Sequence, residues 1–191
     1  VAADMGPRGC LALLFLAAIT QQIGMVATTV TNAGFLTGLY VVLTPILGLA
    51  LLRSRPHWVV WPAALTALTG IALLGGGSLA ALNVGDVWML VCAVFWALQI
   101  VFVGLFAGPS GRPYTLSFVQ FAVTAILAGV GTLAFEAPTL AGLWQAWPEI
   151  VYGGVLSTGL AFTLQIIGQR HTTAAQAAIF LSSESLFAAL F

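Results

Sequence analysis

The sequence contains no lysine, and its only strong cations are five arginines. Charged residues make up 5% of the chain, against about 25% in a soluble domain. Without a basic run there is nothing to set against phosphates, so nucleic acid is excluded as a partner. Cysteine is scarce too. Cys10 and Cys92 lie in apolar runs with no CxxC or Cys/His spacing, so no metal is expected and each reads as a small packing residue. The two histidines, His57 and His171, fall at loop positions. There is no HExxH, no glycine-rich phosphate loop and no nucleophile–base–orienter set. Neither an enzyme nor a cofactor is expected.

What is present is hydrocarbon. Hydrophobic residues make up 61% of the chain and mean hydropathy is +1.09. Water cannot solvate such a surface, so the lipid bilayer is the expected surrounding. A membrane-crossing helix needs roughly 20 mostly apolar residues. Seven such runs are read, from Gly9 to Ala27, Asn32 to Leu52, Trp58 to Leu74, Val84 to Phe106, Tyr114 to Phe135, Pro148 to Gly168, and Thr173 onward. Pro7, Pro56, Pro109, Pro113, Pro138 and Pro148 punctuate their ends, where a missing N–H costs least. Pro45 sits deep inside the second run and predicts a kink or local unwinding there. The pairs Gly34-x-x-x-Gly38 and Gly104-x-x-x-Gly108 predict close helix approach.

With the loops numbered alternately, Arg8, Arg53, Arg55, Arg112 and Arg170 fall on one side. The other side carries Asp86, Glu136 and Glu149 and no cation. The arginine-bearing loops are therefore expected in the cytoplasm. Trp58, Trp61, Trp88, Trp144 and Trp147 read as interface anchors, and Trp96 lies deeper.

An internal repeat organises the chain. At an offset of 144, Leu16, Ala17, Gln21, Ile23, Gly24, Thr28, Thr29 and Ala33 are identical to Leu160, Ala161, Gln165, Ile167, Gly168, Thr172, Thr173 and Ala177. The matched Gln, Gly and Thr-Thr pair carry more weight than the leucines and alanines. First and sixth runs are five apart, so the copy enters from the opposite side. That is an inverted-topology repeat, the plan of many secondary transporters.

The stretch NAGFLTGLYVVLTPILGLALLRSRP (Asn32 to Pro56), with the glycine-rich end of the third run, resembles the first-repeat signature of the drug/metabolite transporter superfamily. More narrowly it is similar to the EamA-like permeases, and TTAAQAAIFLSSESLFAAL (Thr172 to Leu190) resembles the matching part of their second repeat. The resemblance implies an all-α membrane protein of the bacterial inner membrane, with seven transmembrane helices of a ten-helix, five-plus-five inverted-repeat bundle. Residues 1–81 would be the last three helices of the first repeat and 82–191 the first four of the second. Two helices before Val1 and one after Phe191 are then expected. It also implies an exporter of amino acids or similar small metabolites. Where the family often has Ser-Leu-Glu-Pro, this chain has Ser183-Glu184-Ser185. Without the proline a helix break there is in doubt, but the carboxylate is kept.

Glu184 is the sharpest candidate for substrate binding or coupling. A carboxylate in a membrane helix costs roughly 2.5 kcal/mol or more on insertion scales. It could hold a proton, a cation or an amine, or be a protonated packing group. Tyr40 occupies the matching position at the 144 offset and offers a ring face and a hydroxyl. Gln21 and Gln165 are symmetry partners, read as interhelical bonding groups or cavity lining. Trp96 and Gln99 share a helix face at i, i+3 and, with Gln120, could meet a small organic solute or simply pack. Asn32 reads as an N-cap. No arginine lies in a helix core, which argues against a phosphate-bearing substrate. The expectation is a secondary active transporter of small neutral or zwitterionic solutes working by alternating access, with protons as a candidate coupling ion. A passive channel or facilitator, a membrane-embedded enzyme of lipid metabolism and a non-transport membrane subunit are the rivals.

Overall fold

In hydrocarbon a backbone N–H finds no water, so an apolar run satisfies its own carbonyls by coiling into a helix. The computed structural model describes residues 2–74, 83–110 and 112–184, and every regular element among them is helical. In chain order these are α1 (Ala2–Ala27), α2 (Val30–Gly38), α3 (Tyr40–Leu52), α4 (Val60–Leu74), α5 (Val84–Ser110), α6 (Pro113–Phe135), α7 (Leu140–Gln145) and α8 (Trp147–Val151). A π-helical segment (Tyr152–Phe162), α9 (Thr163–Gln169) and α10 (Ala174–Leu181) follow.

Among the described residues five segments are long and apolar enough to cross a membrane: Arg8–Ala27, Val30–Leu52, Val84–Ala107, Pro113–Phe135 and Trp147–Gln169. The expected third span is shorter, an apolar helix over Val60–Leu73. The seventh run opens with α10, and residues 185–191 lie outside the described part. Two expected boundaries move. α1 begins at Ala2, upstream of Pro7, and α5 continues past Phe106 through Pro109 to Ser110.

α5 is the central post. α1 runs along it, and α2, α3, α9 and α10 also pack on it. Half of its spanning window is buried, against 6% for Pro113–Phe135 and for Trp147–Gln169. The last two therefore turn most of their surface outward. A core of Cys10, Leu13, Val101, Phe102, Val103, Leu116 and Ile166 joins α1, α5, α6 and α9.

Close approach of α1 and α5 rests on glycines that sequence reading passed over. A Cβ on Gly85 would stand 2.7 Å from the Ala27 carbonyl carbon and 2.8 Å from both Gly24 O and Thr28 N. A Cβ on Gly24 would stand 2.6 Å from Met89 Sδ. Of the expected pairs, Gly38 does meet Ile71 closely, while Gly34 faces open space and Gly104 makes an ordinary contact with Ala174. Spacing alone does not say which face of a helix a neighbour takes.

The two hairpins at the 144 offset are built alike. Thr29 caps α2, its hydroxyl accepting from the Asn32 N–H at 3.2 Å. Thr173 caps α10, its hydroxyl accepting from the Gln176 N–H at 3.3 Å, and Gln176 Oε1 accepts from the Thr173 N–H to close a capping box. The cap is thus Thr29 rather than Asn32, which lies one turn inside and is buried. Both helices then stop after about two turns. α2 gives way to α3 at Leu39, and α10 ends at Leu181 before the turn at Ser182 and Ser183. The first interruption falls at Gly38–Leu39, seven and six residues ahead of Pro45 and beyond the carbonyl its ring crowds; Pro45 itself lies inside α3. The second break needs no proline. Ser182 Oγ donates to Ile179 O at 2.6 Å, and Phe180 O accepts from both the Ser183 N–H at 3.1 Å and Ser183 Oγ at 2.7 Å, so the serines give the last turn additional donors.

Candidate functional site

A cavity of about 750 Å³ lies between α1, the α2–α3 and α10 breaks, α5, α6 and the π-helical segment. Its lining carries the repeat: Leu14 with Thr158, Ala18 with Phe162, Gln21 with Gln165, Thr37 with Leu181 and Tyr40 with Glu184 are each separated by 144 positions. Tyr40 comes from the first residue of α3, just past one break, and Glu184 from just past the other. The two breaks thus present a phenol and a carboxylate to one space.

The rest of the wall is aromatic and amide. The Trp96 ring stacks on Phe162 with centroids 5.4 Å apart and planes 21° apart, and Phe121 meets Phe162 edge-on at 6.5 Å. Trp96 Nε1–H donates to Gln21 Oε1 at 3.1 Å, which fixes the indole against α1. Thr37 and Thr124 also line the cavity, but their hydroxyl oxygens are buried and have no hydrogen-bond partner among the described residues. No arginine, lysine or histidine is in the lining.

Of the residues singled out from sequence, Glu184, Tyr40, Trp96, Gln21 and Gln165 line the cavity together. Gln99 and Gln120 do not; they are buried within the bundle, and the side-chain oxygen of each lacks a partner among the described residues. Gln22, Thr37, Thr124, Ser157 and Thr158 line the cavity and went unread. A hydroxyl in an apolar run gives little signal, because it can turn back on its own helix, as Thr44 does to Tyr40 O at 2.7 Å. The π-helical segment was equally silent. Gly153, Gly154 and Gly159 fall within it, and it supplies Gly154, Ser157, Thr158, Ala161 and Phe162 to the wall.

A second polar centre sits at the end of the bundle where α1 turns into α2. Asp86, read from sequence as a loop acid, is in the first turn of α5 and completely buried. Its carboxylate accepts from the Thr28 hydroxyl, from Asn32 Nδ2 at 3.2 Å and from the Asn83 N–H at 2.7 Å. Its own N–H donates to Asn83 Oδ1 at 3.0 Å. One side chain thereby fastens α1, α2 and α5 together. Among the described residues no group of His, Cys, Asp and Glu is placed to hold a metal.

Known proteins resemble this chain along nearly its whole length. It is 33% identical over 180 residues to an uncharacterized transporter of Archaeoglobus fulgidus, a match covering 93% of this chain and 56% of that protein. It superposes on the crystal structure of a further protein with a TM-score of 0.75 at 20% identity, covering 93% of this chain and 62% of that one, a likeness of fold alone. The chain thus spans little more than half the length of the curated relative it matches. The model of the EamA-like transporter family matches residues 83–191, more than half of the sequence, and the chain belongs to that family.

Proposed function

We propose that the protein is a secondary active transporter that moves small organic solutes through the cavity by alternating access, exporting amino acids or similar small metabolites. The observation that carries this is the lining. Positions related by the repeat converge from both halves on one space whose wall mixes apolar and polar side chains, which is where an inverted-repeat carrier holds its substrate. Residues 1–81 and 82–191 are then parts of two successive five-helix units, and the family match beginning at residue 83 supports that division. The arginine-bearing loops face the cytoplasm of a bacterial inner membrane on this reading.

Glu184 is the coupling group in this proposal. It is the one carboxylate in the lining among the described residues, and a carboxylate that binds a proton and the solute in turn links their movements. The test is counterflow of labelled solutes in proteoliposomes of the intact protein, with and without a pH gradient. Saturable counterflow marks a carrier; flux that only runs downhill marks a passive facilitator. Glu184→Gln is expected to remove the dependence of flux on the pH gradient, and an unchanged dependence would refute proton coupling through this residue.

A further inference from the structure

The cavity wall is electrically lopsided. It holds one carboxylate, Glu184, and no cationic side chain. The protein's five arginines, at positions 8, 53, 55, 112 and 170, are all outside the lining, and there is no lysine. A zwitterionic amino acid brings both an ammonium and a carboxylate. The ammonium finds Glu184. The solute carboxylate finds neutral donors and the carboxyl of Glu184, and two carboxylates sharing one site disfavour each other. An amine without the carboxylate has no such penalty.

The remainder of the wall suits the body of such a molecule. Trp96 stacked on Phe162, with Phe121 edge-on, makes a continuous aromatic surface. Such a surface takes a flat apolar group by stacking and attracts a cation to its face. The indole N–H is already engaged by Gln21, so Trp96 offers the solute its ring rather than its donor. Ser157, Thr158 and Gln22 add polar groups to the wall for a polar substituent. About 750 Å³ is within the usual range for a site that encloses a small organic molecule.

We infer that this cavity selects protonated amines with an aromatic or flat apolar body over the corresponding amino acids, the ammonium on Glu184 and the body on the Trp96–Phe162–Phe121 wall. This rests on the transporter reading for the movement of the solute, but not for its binding, and among the small metabolites of that reading it puts amines ahead of amino acids.

The test uses a pair differing by one carboxylate, tryptamine and tryptophan, with phenethylamine and phenylalanine as a second pair. Equilibrium binding to the intact detergent-purified protein at pH 7 is measured beside counterflow in proteoliposomes. Each amine is expected to bind at least tenfold more tightly than its amino acid. Glu184→Gln should remove that preference by weakening the amine, Glu184→Asp should retain part of it, and Trp96→Ala should weaken the amines while leaving the Glu184 dependence intact. Circular dichroism and gel filtration establish that the variants fold. Amino acids binding as well as the amines, a preference unchanged in Glu184→Gln, or no binding of either pair would each overturn the inference. Glu184-dependent amine binding without counterflow would uphold it and remove the carrier reading instead.

Discussion

Replacing Gly85 by alanine should be the most damaging single-methyl change in the described part of the protein. The new Cβ would stand 2.7 Å from a backbone carbon and 2.8 Å from a backbone oxygen and nitrogen of the α1 turn. Carbon atoms pack at about 3.5–4.0 Å, so the two helices must part by roughly 1 Å. No flexible side chain can yield, because all three neighbours are main chain. Overpacking of this kind costs about 1–3 kcal/mol and occasionally more, and here the upper end applies. Parting α1 from α5 also stretches the bonds from Thr28 and Asn32 to Asp86. Two glycines serve as internal controls. At Gly24 the nearest atom is the Met89 sulfur, which can move, so Gly24→Ala should cost less. At Gly34 nothing lies within 4 Å, and Gly34→Ala should gain about 0.5–1 kcal/mol of helix propensity. The three variants are compared by thermal unfolding of the intact protein in one detergent. The expected order of stability is Gly34→Ala, wild type, Gly24→Ala, Gly85→Ala. A Gly85→Ala protein as stable as wild type would refute the close crossing, and a Gly34→Ala protein as damaged as Gly85→Ala would show that the order does not come from packing.

Other expectations follow from the same geometry. Thr29→Ala and Thr173→Ala should each cost about 1 kcal/mol as lost N-caps, and the double variant should be additive in unfolding because the two caps share no hydrogen-bond partner. Asp86→Ala should lower the melting temperature more than Asp86→Asn, since the amide can still accept one of the bonds from Thr28 and Asn32; equal melting temperatures for wild type and both variants would exclude the fastening role. Trp96→Phe keeps a ring to stack on Phe162 but loses the bond to Gln21, worth about 0.6 kcal/mol for an average interhelical bond, so thermal unfolding should show only a small loss of stability.

Sequence reading reached the features that repeat or run long. The apolar stretches announced helices, and the Thr-Thr pairs at 28–29 and 172–173 announced two hairpins that the structure caps in the same way. Glu184 and Tyr40 could be paired from the offset alone, because an offset is a property of the chain. The unread features depend on what lies across the gap. Asp86 looks like a loop acid until Thr28 and Asn32 are seen to surround it. The break after Leu181 could not be read from a missing proline, because two serines bonded back to Ile179 O and Phe180 O occupy the turn instead. Gln99 and Trp96 do share a helix, yet only Trp96 reaches the cavity, since three residues of spacing give roughly 300° of rotation and not a full turn.

The wall over Tyr152–Phe162 has a consequence for how the bundle could change shape. A π-helical N–H reaches back five residues, one farther than in the α-helix. The same residues wound as an α-helix would form a narrower and longer rod, since fewer of them fill each turn. Within the stretch every backbone donor would still have an acceptor, one residue nearer. Passing between the two windings therefore exchanges partners rather than abandoning them, even in hydrocarbon where an abandoned N–H is most costly. Ser157 and Thr158 would swing about the axis, and α9 would slide and turn relative to α8. A segment that alters length and heading in this way is a screw thread set into the side of the cavity.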